Sequence, residues 1–111
     1  MTIKNEETFT GLVLKNKPYK ENDMLVWIYS REYGKLTLLA KGVKKMTSKN
    51  APSCQSITLS EFTLIPKTGL SRLIKGSAVD YFRHIKEDIE LEAYATYCLE
   101  LVDKYTKEND P

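Results

Sequence analysis

The chain has 111 residues, and 17 Lys and Arg nearly balance 15 Asp and Glu, for a formal net charge of +2. This length fits one domain rather than two. The longest apolar run is residues 24–29, far short of the roughly 20 residues that cross a membrane. No signal-peptide pattern follows Met1, so we expect a cytoplasmic protein with no membrane partner.

The two signs of charge are separated along the chain. Residues 1–86 carry 15 basic and 7 acidic side chains, whereas residues 87–111 carry 2 basic and 8 acidic ones. The near-neutral total therefore combines a basic body with an acidic C-terminal segment. Such asymmetry is typical of a surface that binds polyanions.

In chain order, five β-rich runs separated by turn signals come first. Residues 16–23 are polar and contain Pro18, so they predict a loop. Gly34 suits a tight hairpin turn, and Gly76 permits a bend in the last run. The predicted strands are residues 9–15, 24–30, 35–42, 56–65 and a fifth that begins at 70–75.

A helical pattern follows residue 82. Apolar side chains recur at an i, i+4 spacing, and no Gly or Pro occurs between Phe82 and Glu108, so we predict one long helix. The i, i+4 stripe is formed by Ile85, Ile89, Ala93, Tyr97, Leu101 and Tyr105, and it is widened by Leu91, Tyr94, Ala95, Cys98 and Val102. This apolar surface is wider than one small sheet needs. The helix's acidic residues, Asp103 among them, are read as a solvated face.

Five short strands followed by a helix favour a mostly-β fold. We predict a small five-stranded oligonucleotide-binding (OB) barrel over residues 1–80 and a helical segment over residues 81–111 that leads into a further helical domain. An SH3-like barrel is the competing fold. The long basic connection between the third and fourth strands favours the OB barrel, whose loops and open face bind single strands.

The best candidate for chemistry is a Lys-rich stretch without acidic residues, residues 33–60. Mobile ammonium groups suit a phosphate backbone but read bases poorly, so this stretch predicts non-specific polyanion binding. A loop made basic for solubility is an equally good reading. The cations are Lys35, Lys41, Lys44, Lys45 and Lys49.

A second basic set interleaves cations with aromatic rings, on which the bases of a single strand can stack. Tyr19 and Tyr33 are the better stacking candidates because their neighbours are polar, whereas Trp27 and Tyr29, within the most apolar strand, are expected in the core. The cations of this set are Lys15, Lys17, Lys20 and Arg31. Arg72 and Lys75, three residues apart on a strand, should point to opposite faces unless the region of Gly76 is bulged.

Catalysis finds little support, because His84 is the only histidine and no nucleophile motif, phosphate loop or metal-binding pattern is present. Cys54 and Cys98 are too few for a disulfide scaffold and are not spaced as metal ligands. We therefore expect a non-enzyme with two free thiols and no cofactor.

An ordered series of motifs resembles the N-terminal half of the RecO family of bacterial recombination mediators. The motifs are GLVLK (11–15), YKENDMLV (19–26), SREYGKL (30–36), AKGVKK (40–45), TGLSRL (68–73) and EDIELEAYATYCLELVD (87–103). The motif at the second turn carries Arg31 and Lys35, and AKGVKK carries Lys41, Lys44 and Lys45. These five cations are the leading candidates for DNA contacts.

The resemblance implies an OB barrel followed by helices, in a nucleoid-associated protein of DNA repair and recombination. It implies binding of single- and double-stranded DNA, annealing of complementary strands, and help in loading RecA onto strands covered by single-strand-binding protein. The implied protein partners are RecR and the acidic tail of single-strand-binding protein. No catalysis or nucleotide hydrolysis is implied, and a larger helical part, often with a zinc site, would lie beyond this chain.

One alternative stays open. The same basic barrel could mainly receive an acidic peptide tail and bind DNA only weakly. Charge alone does not separate these two functions, because the same lysines serve both.

Overall fold

The computed structural model describes residues 6–44, 48–65, 67 and 69–106, and its central feature is a closed barrel of five strands. Around the barrel the strands follow the order β1-β2-β3-β5-β4, and only the β3–β5 pair, among these neighbours, is parallel. The strands are β1 (Glu7–Tyr19), β2 (Asp23–Ser30), β3 (Gly34–Ala40), β4 (Leu59–Ile65) and β5 (Leu70–Asp80). This confirms the predicted mostly-β barrel followed by a helix.

The barrel interior is filled by alternate residues of each strand. On β2 the inward side chains include Val26 and Ile28, which are fully buried, while their neighbours in sequence point outward. Ser30 ends this inward row, and its hydroxyl accepts a hydrogen bond from the Tyr33 amide, 2.9 Å away, at the β2–β3 turn. Further core residues are Phe9, Val13, Leu36, Leu38, Ala40, Phe62, Leu64 and Leu73.

Strand β1 continues well past its predicted end. The polar stretch that we predicted to be a loop forms the outer half of a hairpin with β2, in which Pro18 pairs with Met24 and Tyr19 with Asp23. Pro18 is tolerated because this half of β1 pairs only with β2, so a missing N–H costs no ladder bond on the other side. The loop was predicted from local residue preferences, and pairing with β2 outweighs those preferences.

Two of the three irregularities in strand pairing decide which cations point outward. In β1 the register shifts between Val13 and Lys15, and in β5 it shifts opposite Thr63 and Leu64. An extra residue reverses the alternation beyond it. Arg72 and Lys75 are consequently both exposed, which is the bulged alternative left open by the sequence.

A short 3-10 turn (Ala51–Cys54) packs against β4 and β5 and places Cys54 in the core. The turn packs so closely on β5 that a Cβ atom built at Gly76 would lie 2.1 Å from the Ser53 hydroxyl oxygen. Gly76 is therefore required for this close approach, rather than only for the bend predicted from sequence. Strand β4 begins at Leu59, later than predicted, because Ile57 adopts a positive φ of 56°.

The predicted single helix is divided in two, α1 (Arg83–Lys86) and α2 (Ile89–Tyr105). The break occurs because the Asp88 carboxylate accepts hydrogen bonds from the amides of Glu90 (3.0 Å) and Leu91 (3.1 Å), which is an N-cap arrangement. Within the described part of the chain, neither helix has the length and apolarity to span a membrane.

Helix α2 lies on the barrel through only a narrow part of its predicted apolar surface. Its half-buried residues are Ala95, Cys98, Leu99 and Asp103, at helical spacing. The rest of the predicted apolar surface is largely turned away from the barrel, and the exposed large apolar side chains of α2 are Ile89, Leu91, Tyr94, Tyr97, Leu101, Val102 and Tyr105. The stripe could not reveal which side meets the barrel, because apolar residues surround most of the helix.

Candidate nucleic-acid interface

The outward side chains of β1, β2 and β3 form one continuous surface, which we call the outer face. Its residues are Leu12, Lys15, Lys17, Tyr19, Leu25, Trp27, Tyr29, Lys35, Thr37 and Leu39. On β2 these positions alternate with the core residues, so Leu25, Trp27 and Tyr29 are half-buried on the outside of the barrel. The prediction that Trp27 and Tyr29 belong to the core is therefore wrong. Because β2 is apolar on both sides, the strand alone did not reveal which set points inward.

The first strand supplies two cations to the outer face. The bulge at Leu14 puts Lys15 on the outside, opposite Trp27 in the register, and its ammonium lies 4.8 Å from the centre of the indole ring. Lys17 follows two residues later, opposite Leu25, and is exposed. A ring beside mobile cations is the arrangement that lets a base stack while a phosphate is neutralised.

The third strand adds Lys35, which pairs with Tyr29 across the sheet. Beyond it, Leu39 of β3 pairs with Arg72 of β5, so a further exposed cation borders the outer face. Arg72 was not among the leading candidates from the sequence, because the bulge that turns it outward has no clear local signal.

A second group of cations lies at the β1–β2 turn. Lys20 takes a positive φ of 57° there, and the chain after β3 is held against the turn by two hydrogen bonds, from the Gly42 amide to an Asp23 carboxylate oxygen (2.8 Å) and from the Lys44 amide to the Asn22 carbonyl (3.0 Å). These contacts bring Lys20, Lys41 and Lys44 together. Lys20 and Lys41 border an open cleft of about 440 Å³, whose other lining residues are Glu21, Asn22, Asp23 and Gly42.

Other predicted site residues lie elsewhere. Arg31 follows the far end of β2, and the eight residues of that strand span ~24 Å. Tyr33 is half-buried with its ring 5.1 Å from that of Phe9, so its assignment as a stacking platform stays a prediction that the geometry does not favour. Lys49 is exposed beside Asn50, which accepts a hydrogen bond from the Gly76 amide. Lys45 lies outside the described residues.

The rings near the turn are partly engaged already. The Lys20 ammonium is 5.5 Å from the centre of the Tyr19 ring, so the prediction that Tyr19 stacks on a base concerns its other side. Trp27 has a comparable arrangement with Lys15. Each pair places a lysine ammonium beside an aromatic ring, and Lys17 lies between the two pairs on the outer face.

One acidic side chain on the outer face was missed in the sequence. Asp103, from the last turn of α2, forms ion pairs with Lys15 (2.7 Å) and Lys35 (2.8 Å), and the Lys35 ammonium also donates to the Asp103 backbone carbonyl (2.9 Å). Asp103 and Lys35 are only 15% and 14% exposed, whereas Lys15 is 49% exposed. The prediction of a fully solvated acidic face is wrong for this residue.

The charge of Asp103 is stabilised by its partners. Partial burial acts to raise the pKa of this carboxyl, but the hydrogen bonds and charges of Lys15 and Lys35 outweigh burial and hold its pKa below the ordinary value. Asp103 therefore remains ionised at neutral pH. Only the three-dimensional approach of α2 to β1 and β3 reveals this role.

A separate basic and aromatic group lies where α1 meets the barrel. The Lys86 ammonium donates to the Thr58 hydroxyl (2.9 Å) and lies 5.7 Å from the centre of the Tyr81 ring. Burial lowers the pKa of Lys86, opposed by the nearby carboxylates of Glu92 and Asp80. Because these carboxylates balance the cation, this group is less suited to a polyanion than the outer face.

No feature of the described residues suggests a metal site, since no three His, Cys, Asp or Glu side chains among them are grouped as ligands would be. The two cysteines are free thiols, as predicted, and burial raises the pKa of Cys54. The strand order and the arrangement of the outer face define the class: the chain is an OB-barrel protein.

Comparison with known proteins then gives the family. The family model described as recombination protein O N terminal matches residues 1–82, so the chain belongs to the RecO family. The protein named DNA repair protein RecO from Listeria monocytogenes serotype 4b (strain CLIP80459) is 40% identical over 105 residues, which is 95% of this chain and 41% of that protein.

Two further relatives carry the same name. The protein from Oceanobacillus iheyensis is 42% identical over 107 residues, 95% of this chain and 42% of its own length. That from Bacillus pumilus is 38% identical over 111 residues, all of this chain and 42% of its own length. The chain therefore spans about two fifths of the length of the curated relatives it matches.

Proposed function

We propose that the chain binds single-stranded DNA along the outer face, as a part of a DNA repair and recombination protein. The observation that carries this proposal is the placement of Trp27 and Tyr29 between Lys15, Lys17 and Lys35 on one side of an OB barrel. Stacking on a ring favours an unpaired base, with roughly 1–3 kcal/mol for each base, and lysines neutralise the phosphates beside it.

In this proposal the single-stranded DNA runs from Trp27 past Lys17 to the β1–β2 turn. Lys20, Lys41 and Lys44 are exposed there, with Lys45 next in sequence. Lysines bind phosphates without reading bases, so binding is independent of sequence and extends to double-stranded DNA with lower affinity. Neutralising the phosphates of two strands on one surface lowers their repulsion and assists annealing.

The wider role is proposed from family membership. As part of a RecO-family mediator, the chain acts with RecR and single-strand-binding protein and helps load RecA onto DNA, in the cytoplasm at the nucleoid. It needs no cofactor and performs no catalysis. The support is the matching family model and the printed name of the relatives, DNA repair protein.

A titration of fluorescently labelled oligo-dT, followed by anisotropy at several salt concentrations, tests the proposed binding. Each neutralised phosphate contributes about 0.7 to the slope of log affinity against log salt for single strands. The double variant Lys41→Gln with Lys44→Gln is expected to weaken binding and to reduce the slope by about 1.4.

The matched control removes two other exposed cations: Lys75→Gln, at a position that pairs with Thr63 of β4, and Arg83→Gln, which borders the cleft beside Tyr81 and Lys86. This pair lowers the net charge equally and should leave the slope nearly unchanged. Equal losses in the two double variants would show a general charge effect, and the site assignment would then be wrong.

A second candidate function is the binding of an acidic peptide. The contact of Asp103 with Lys15 and Lys35 supports it, because these cations already bind a carboxylate of the chain itself. Titration of the same protein with an acidic peptide and with oligo-dT separates the two. If only the peptide binds, the first proposal fails for this chain.

A further inference from the structure

The Asp103 carboxylate is paired with two lysines that the bound DNA strand would need. Lys15 and Lys35 stand beside Trp27 and Tyr29 in the sheet register, at the centre of the outer face. Both ammonium groups are within 2.8 Å of the Asp103 carboxylate, and Lys35 is nearly closed to solvent by the contact. Neither lysine can reach a phosphate in the same way while this carboxylate is in place.

The carboxylate is a chemical substitute for a phosphate. Both groups present anionic oxygens to ammonium donors at about 2.7–2.9 Å. One negative charge between two positive ones leaves the cluster with an excess positive charge, so an incoming polyanion is still attracted to it.

Only a small contact holds this end of α2 on the barrel. None of the described residues of α2 is buried, and its barrel-facing side includes Ala95, Cys98 and Leu99. These three residues border an open apolar groove of about 200 Å³ against Leu12, Ile57, Phe82 and Ile85. Because little apolar area is removed from water here, moving the helix costs little free energy.

We propose that Asp103 is an internal competitor of the nucleic acid, which keeps Lys15 and Lys35 occupied until a polyanion displaces the C-terminal end of α2 from the outer face. This inference rests on the proposed function and adds its regulation. The DNA first meets the exposed cations at the β1–β2 turn, and its phosphates then replace the Asp103 carboxylate at Lys15 and Lys35. Binding and helix displacement are thereby coupled.

The first test compares Asp103→Asn with Glu100→Gln, an equal change of charge at an exposed position of the same helix. Asp103→Asn should bind oligo-dT at least about 5-fold more tightly, the lower end of typical coupling between sites. Its salt slope should also be steeper, by up to about 1.4 for two further phosphates. The gain should vanish when Lys15→Gln and Lys35→Gln are added.

The second test follows the helix itself through the labelling rate of Cys98, which faces the groove, with a thiol reagent. Oligo-dT should accelerate labelling of the wild-type chain, and Asp103→Asn should accelerate it without DNA. Cys54 is buried in the core and reports global unfolding, and a Cys98→Ser variant gives its separate rate. Faster labelling of Cys98 with an unchanged Cys54 rate distinguishes helix displacement from unfolding.

The possible results separate the two proposals. If wild type binds oligo-dT and Asp103→Asn binds no more tightly than Glu100→Gln, the competitor is overturned while the proposed function stands. If neither form binds, the proposed DNA binding fails and the competitor fails with it, and faster Cys98 labelling in Asp103→Asn then shows only that the contact holds the helix. Tighter binding together with faster labelling supports both.

Discussion

At the scale of single residues, Asp103 has the largest electrostatic consequence. Its carboxylate is held by Lys15 and Lys35, and these cations hold its pKa below the ordinary value despite partial burial. A carboxyl whose pKa is lower in the folded than in the unfolded chain stabilises the fold above its unfolded pKa of about 3.9. That stabilisation is lost as the pH falls through the lower, folded pKa.

The expected pH dependence follows directly. At pH 7, Asp103→Asn should lower the free energy of unfolding by roughly 1 kcal/mol, a modest value because Lys15 is half exposed. Below the folded pKa, where wild-type Asp103 is also neutral, the difference should approach zero. Urea unfolding of both proteins at neutral and at acid pH measures it, and a difference that persists unchanged in acid would contradict the assigned ion pairs.

At the scale of secondary-structure elements, bulges and one close approach shape the barrel. The shift in β1 places Lys15 outside, and the shift in β5 leaves both Arg72 and Lys75 exposed. Gly76 lets the 3-10 turn rest on β5. Side-chain positions on the outer face therefore depend on features that interrupt regular strands.

A substitution at Gly76 tests this packing. In Gly76→Ala the new methyl group would lie 2.1 Å from the Ser53 hydroxyl oxygen and 2.9 Å from its Cβ, so the turn must shift. We expect a loss of about 1–3 kcal/mol in the free energy of unfolding, the usual range for overpacking. Gly11→Ala is the control, because its methyl group first meets the flexible end of Ile28 at 3.1 Å. A loss at Gly11 as large as that at Gly76 would contradict the argument.

The elements differ in how well their sequence predicts them. Strand β2 and the turn at Gly34 were predictable because a run of β-branched and aromatic residues and the turn chemistry of glycine are local signals. The extension of β1 through Pro18 was not, since it depends on pairing with β2. The break before α2 has a local signal in Asp88, which can cap a helix, but the absence of Gly and Pro favoured one continuous helix instead.

The candidate site was predictable only in part, because only some of its features have a local signal in the sequence. Runs of lysine are visible in the sequence, and the structure brings Lys20, Lys41 and Lys44 together at one turn. Trp27 was missed because a strand apolar on both sides does not reveal its inward set. Asp103 was missed because it is 68 residues from Lys35 in the sequence, and only tertiary packing joins them.

At the scale of the whole molecule, the two signs of charge lie on two parts of one structure. The basic part is the barrel and the acidic part is the segment that contains α2. They meet through Asp103, while most large apolar side chains of α2 are turned away from the barrel. That the helical segment over residues 81–111 leads into a further helical domain stays a prediction.

The central claim is that single-stranded DNA binds the outer face of β1, β2 and β3. A nuclear magnetic resonance titration of the isotope-labelled chain with oligo-dT tests it most directly, because the chain has one tryptophan and thus one indole N–H signal. We predict that the Trp27 indole signal shifts, together with amide signals of β1 from Lys15 onward and of the β1–β2 turn. Shifts confined to the group around Tyr81 and Lys86, with the Trp27 signal unmoved, would contradict the account.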